Sequence, residues 1–475
     1  MGLLNSWSIP LDGREDTVWG HDFSWTDSHP DPADISHLLH TYDVLATTAL
    51  DRLDAIDPPQ SKGWRCPGAD GSGQRDLYDL LEKHANEDPV LKELWEEITE
   101  VPQWVDWAQI ARGQRLLYKY SGQILFGLMF KSLIGGFGAP RVVQTLSRTG
   151  GFGVNVCRRR LLETMQHFIS VTSTLPEIQP HGPGFVSTVR VRLLHASVRR
   201  RLLQLERERP GYFPIEDLGV PINDLHSIGT ISAYATATVY MALPRLGIVL
   251  SDQEADDYLA LWRWIGHLLG TPVDFMADRA SAKAMMESVM VAELNPSDNS
   301  RILVNNVLTA MSNVPPLYTS REMLAAQAYK MNGDDYAAAL GVEKPAWTWR
   351  LMVWFQAMIL LCFSYSYDWL PLTMRNRRDE RFRTICREMV LSQKLGGIGT
   401  PTRFDFQYVP NYGQMTELGI RSAVDTVQAA SKRHGFLGIF KIVAGSILAL
   451  GVLRLGVRGA VYNVSPRMVG MLVSQ

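Results

Sequence analysis

Two arginine-rich stretches about thirty residues apart hold the residue types best suited to chemistry in this chain. The first is Arg158-Arg159-Arg160-Leu161-Leu162-Glu163-Thr164. The second is Val191-Arg192-Leu193-Leu194-His195-Ala196-Ser197-Val198-Arg199-Arg200-Arg201. At helical spacing Val191, Leu194, His195, Val198 and Leu202 share one face, while Arg192, Arg199 and Arg200 point toward carboxylates or solvent. On the first stretch Arg160 and Thr164 stack on one side, with His167 one turn further. An imidazole on an apolar face, opposed by a guanidinium and a hydroxyl, suits a flat, anionic, metal-bearing ligand, and haem is the obvious candidate. His195 would then ligate the iron, and Arg160 would pair with a propionate or steady bound oxygen. The competing reading makes His195 a hydrogen-bonded core histidine and the arginines a solvated cationic face.

His167 shares the Arg160–Thr164 side and could lie distal to the iron. His226 and His267 are further ligand candidates, with His267 read as structural in its apolar, tryptophan-rich helix. Glu163 reads either as a base or as an arginine-paired carboxylate. The four cysteines, Cys66, Cys157, Cys362 and Cys386, lie far apart with no CxxC, as expected of reduced intracellular thiols. None sits in a glycine-rich loop that would support thiolate ligation of haem.

The elements that must position these residues are helices. Residues 154–173 and 185–208 form the two carrying the site, separated by a Pro/Gly loop, and helices follow at 251–269, 278–292, 300–313 and 320–331. Residues 348–367 read as a long buried helix. No run of segments alternates with the period of two that a sheet needs, so the fold class is all-α. Residues 1–75, rich in Asp, Pro, Gly and Trp, read as an N-terminal arm. Residues 76–370 form the helical body and 371–475 a C-terminal extension.

Several ordered motifs resemble one family. They are Pro102-Gln103-Trp104-Val105-Asp106, Gly135-Gly136-Phe137-Gly138-Ala139-Pro140, Arg160-x-x-x-Thr164, the His195 stretch, Asp224-Leu225-x-x-x-Gly229-Thr230 and Leu261-Trp262-Arg263-Trp264-Ile265-Gly266-His267-Leu268-Leu269-Gly270. Together they resemble the MpaB/rubber oxygenase (latex-clearing protein) catalytic domain over roughly residues 95–290. The resemblance implies a globin-like helical core holding haem b, with His195 as proximal iron ligand and Arg160 and Thr164 in the pocket. It also implies a haem-dependent oxygenase that cleaves carbon–carbon double bonds of a hydrophobic, isoprenoid or prenylated substrate with dioxygen. Two positions depart from the family pattern: Glu163 stands where rubber oxygenases have a lysine, and Gln144 where they have a glutamate base. Peroxidase-like, hydroxylating or redox-neutral haem chemistry, or haem or lipid binding without turnover, therefore stay open.

The bulk composition fits this picture. With 46% hydrophobic and 20% charged residues the chain is globular, and a net charge of −2 gives no reason to expect nucleic acid. The N-terminus lacks a signal peptide but matches the short myristoylation pattern at Gly2. Residues 436–453 are apolar and flanked by cations, which suits contact with an anionic leaflet, as does an endomembrane location such as the endoplasmic reticulum. A helical hairpin packed on the body, in a cytoplasmic protein, is the alternative. Leu351–Phe363 is apolar but short for a span.

Overall fold

A computed structural model describes residues 13–58 and 75–404. It is built of helices, with one two-stranded antiparallel hairpin, Glu15–Val18 against His21–Ser24, near the N-terminus. Gly2, Cys66 and residues 436–453 lie outside the described residues.

The site-bearing helices end where the sequence places their ends. The helix Val154–Thr172 (α3) follows Gly153, and Pro183–Glu208 (α4) carries proline at its first turn, where the missing N–H costs nothing. Gly184 lets α4 approach α3: a Cβ there would sit 2.6 Å from the Ser170 carbonyl oxygen. The same device joins Trp107–Lys119 (α2) to Asp252–Leu268 (α6), because a Cβ on Gly113 would lie 2.2 Å from the Asp257 carbonyl oxygen. Glycine within a helix costs about 1 kcal/mol. Here that cost is offset by close packing and by Arg112, which grips Asp257 with two bonds of 2.8 Å.

The main core gathers Leu116, Leu117 and Ile124 with Phe168, Phe185, Val189, Leu193, Trp262 and Trp264. Ala49 and Leu53 of the helix Val44–Ile56 (α1) belong to the same core. A second core forms where Phe130, Ile134 and Phe137 meet the helices Asp298–Met311 (α8) and Arg321–Asn332 (α9), which follow Arg279–Glu293 (α7) in the chain. The segment 224–243 is not one continuous helix. Asp224–Tyr234 (α5) ends at Ala235, and Thr238–Ala242 makes a π-helical turn facing a second one, Leu128–Ile134.

One sequence expectation fails. The helix Trp347–Tyr365 (α10) is not buried: Val353, Ala357 and Ser364 are covered and most of the rest faces outward. Its apolar composition suggested burial on all sides, but the body supplies neighbours on only one. It packs on α9, and Leu372–Leu391 (α11) follows after a short turn.

Candidate functional site

His195 lies midway along α4, one turn after Arg192 and one before Arg199. Core packing fixes the orientation of this helix. Phe185, Val189 and Leu193 enter the main core, Ala196 meets Ala46 and Leu50 of α1, and Val198, Leu202 and Leu205 close over Phe213. What remains for His195 is a part-buried position that it shares with Val191 and Leu194.

The arginines around His195 are occupied elsewhere. Arg192 is 2% exposed, with Nε and Nη2 donating to Asp43 at 2.7 and 3.0 Å and Nη1 donating to Glu97 at 2.7 Å. Arg199 donates to the backbone oxygens of Asp43, Pro221 and Ile222 and to Thr47 Oγ1, and Arg200 pairs with Asp51 and Asp54. These guanidiniums lock α4 onto α1 and the 221–222 loop. Arg192 and Arg200 thus meet carboxylates as their spacing predicts, while Arg199 is taken up by backbone oxygens and Thr47 instead.

The histidine itself is different. Among the described residues no hydrogen bond reaches the His195 imidazole. Burial, reinforced by Arg199 and partly offset by Asp43, pushes its pKa down to about 4. It is therefore neutral at physiological pH. It is part-exposed at a position that protein largely surrounds.

His167 of α3 is its electrostatic neighbour. Burial first, then the nearby His195, brings its pKa to about 4 as well. His167 Nδ1 lies 2.9 Å from Ser187 Oγ, which ties α3 to α4 and fixes the ring. An open groove of about 680 Å³ borders this tie, lined by Ser187, Gln166, Arg190, Arg387 and Phe404 among others.

The remaining candidates divide. Thr164 is exposed, and its hydroxyl donates to the Arg160 carbonyl at 3.1 Å, within its own helix. Glu163 is buried and arginine-paired, 3.1 Å from Arg159 Nε and 3.5 Å from Arg160 Nη1. Gln144 accepts from Arg148 on its own helix. His267 stacks on Trp264 at 5.6 Å, and His226 faces Asn223 and Glu293, so neither approaches His195 in these contacts. Burial pushes the Cys157 thiol up to about 12 and Cys386 to about 11, far from thiolate character.

The family model for the ER-bound oxygenase mpaB/B'/Rubber oxygenase catalytic domain matches residues 118–362, over half of the chain. The chain belongs to this family. The rubber oxygenase of Streptomyces sp. (strain K30) is 24% identical over 208 residues, covering 42% of this chain and 49% of that protein. Aurantioclavine synthase of Penicillium expansum is 44% identical over 77 residues, 16% of each chain. The chain thus matches about half the length, or less, of these curated relatives. A structure of latex clearing protein in the closed state superposes with a TM-score of 0.51 at 18% identity, covering 78% of this chain and 94% of that one, which shows a shared fold.

The residues of this MpaB/rubber oxygenase family member fit a haem. Iron in a porphyrin needs one protein ligand, and a neutral imidazole that no hydrogen bond reaches among the described residues has the chemistry to meet that need. Sequence reasoning missed Lys131, a lone lysine inside the apolar run 123–133. It sits buried in a π-helical turn over the Tyr336 ring, and burial lowers its pKa to about 7. The signal was its isolation among apolar neighbours.

Proposed function

We propose that this protein is a haem b-dependent oxygenase that uses dioxygen on a hydrophobic small molecule, with His195 as the iron ligand. The observation that supports this reading is the neutral, unpartnered His195 imidazole facing α3 within the family-matched region. Haem bound there would supply the oxygen activation that no side chain can. The chain's own part is to present His195 in its neutral form, held by the packing of α4 on α1. His167, fixed through Nδ1 by Ser187, would keep its second ring nitrogen available for a hydrogen bond beside the haem. Arg160 would serve a haem carboxylate, exchanging its long contact with Glu163 for a shorter one. Glu163, already paired with Arg159, balances that arginine cluster rather than acting as a free base.

The reaction proposed is oxidative cleavage of a carbon–carbon double bond. The double bond breaks and each of its carbons receives one oxygen atom of dioxygen as a carbonyl. A redox-neutral or hydroxylating reaction on a prenylated metabolite is the second reading. Glu163 in place of the family lysine favours it, as does the likeness to a protein named a synthase.

Purified protein should show a Soret band that His195→Ala abolishes while far-UV dichroism is unchanged. A folded wild type that stays without a Soret band after reconstitution with haem refutes the haem reading. Labelled dioxygen separates the reactions, since cleavage places label in both carbonyl products.

A further inference from the structure

The outward face of α10 is predominantly apolar. Trp347, Leu351, Trp354, Phe355, Met358 and Ile359 are each 40% to 73% exposed, recurring at the three- and four-residue steps of one helix side. Two of its polar residues, Gln356 and Ser364, face the other way, while Thr348 is exposed near its start and Arg350 pairs with Asp334. Gln356 accepts from Gln327 Nε2 at 2.8 Å, and Ser364 donates to Gln123 Oε1 at 3.0 Å. A helix on a water-exposed surface turns its polar residues out. This one is inverted.

We propose that this face docks on an anionic lipid bilayer, with α10 lying in the plane of the interface instead of crossing it. At 1.5 Å per residue α10 is about 28 Å long, and it is long and apolar enough to cross a membrane. The body forbids crossing. Along its inner side Leu360 sits against Gly122 and Leu361 against Gly247, where added Cβ atoms would come within 2.6 and 3.0 Å of them. A transverse α10 would carry this packed and charged body into hydrocarbon. Lying flat, it immerses only its apolar side.

Two further features match a lipid surface. Trp347 opens the helix and Trp369, 87% exposed, follows its end, the residue type that favours the headgroup boundary. The chain then folds back so that Arg378 of α11 stacks on Phe363 at 3.6 Å and donates to its carbonyl oxygen at 2.9 Å. Arg377 and Arg381 on α11 are exposed and make no ion pair among the described residues. Cations beside an apolar face complement anionic headgroups, at about five-fold in binding for each. The surface does not depend on haem at His195, and lipid binding reads it whichever reaction the protein performs.

The test is flotation of the full-length protein with vesicles of phosphatidylcholine and phosphatidylserine at about 7:3, against phosphatidylcholine alone. Wild type should float with the mixed vesicles. Trp354→Glu/Phe355→Glu should bind at least ~10-fold more weakly, and Arg377→Ala/Arg381→Ala should lose ~10-fold or more on mixed vesicles only. Val249→Glu, at another exposed apolar site, should bind as wild type. Brominated lipid should quench tryptophan emission in wild type and quench it less in Trp347→Phe/Trp354→Phe, a readout that survives if the glutamate variant fails to fold. Three results overturn the proposal: no flotation of wild type, undiminished flotation of a folded Trp354→Glu/Phe355→Glu, or a lipid-indifferent dimer that this variant converts to monomer.

Discussion

Arg192→Met is expected to be among the most damaging single substitutions on α4, and its cost follows from what it leaves behind. The guanidinium is 2% exposed and makes both of its Asp43 bonds at 3.0 Å or less. The Asp43 side chain is only 9% exposed, so without Arg192 a carboxylate is stranded where water cannot fully replace the lost partner. Breaking a buried pair in this way costs about 3–5 kcal/mol. Glu97 is 38% exposed and rehydrates, so it adds little. Unfolding entropy of about 2 cal/mol/K per residue converts this to a melting-point drop of roughly 3–5 °C for a chain of this size. Thermal melts followed by far-UV dichroism at one scan rate measure it. Arg192→Met/Asp43→Asn should recover about half, because Asn removes the stranded charge yet still caps α1 at Ala46. A single variant that melts within 1 °C of wild type, or a double variant no better than the single, would refute this account of the tie.

Three other outcomes are expected. Lys131→Met should stabilise the protein at pH 7 by on the order of 3 kcal/mol, because a buried cation is removed. The wild type's native lysine pKa of about 7 lies below its unfolded value, so stability should rise with pH between 7 and about 10, and urea titrations of the variant should lack that rise. In haem-free protein His167 and His195, both near pKa 4 and neutral when folded, should make stability fall as pH drops from about 6.5 through 4. A melting profile of His167→Gln/His195→Gln no flatter than wild type over that window would contradict it. Gly138→Ala should cost about 2–4 kcal/mol in chemical denaturation, since its Cβ would overlap the Tyr336 hydroxyl and displace it from the Gly135 carbonyl.

Much of the frame was legible in the residues. The helices carrying Arg160 and His195 lie where proline, glycine and helical periodicity place them, and the all-α class follows from the same periodicity. The hairpin at Glu15–Ser24 was not legible, because four-residue strands of mostly polar residues are too short to show a period of two. Nor was the anchor beneath it, where His21 and His29 meet the buried Glu287 at 2.7 and 3.0 Å across more than 250 residues of chain. The break in 224–243 was equally hidden, since nothing local distinguishes a π-helical turn from a continued α-helix.

The sequence by itself determined which residue types share a helix face: His195 with apolar neighbours, and Arg160, Thr164 and His167 on one side of α3. Periodicity is a local property, and it survives into any fold those helices enter. Partners are not local. Only the tertiary structure decided that Arg192 and Arg199 serve α1, that Glu163 is consumed by Arg159 and Arg160, and that Thr164 turns back on its own helix. It also decided that α10, apolar enough to be buried, is covered on one side alone, because burial depends on how many neighbours the fold brings and not on the helix's own composition.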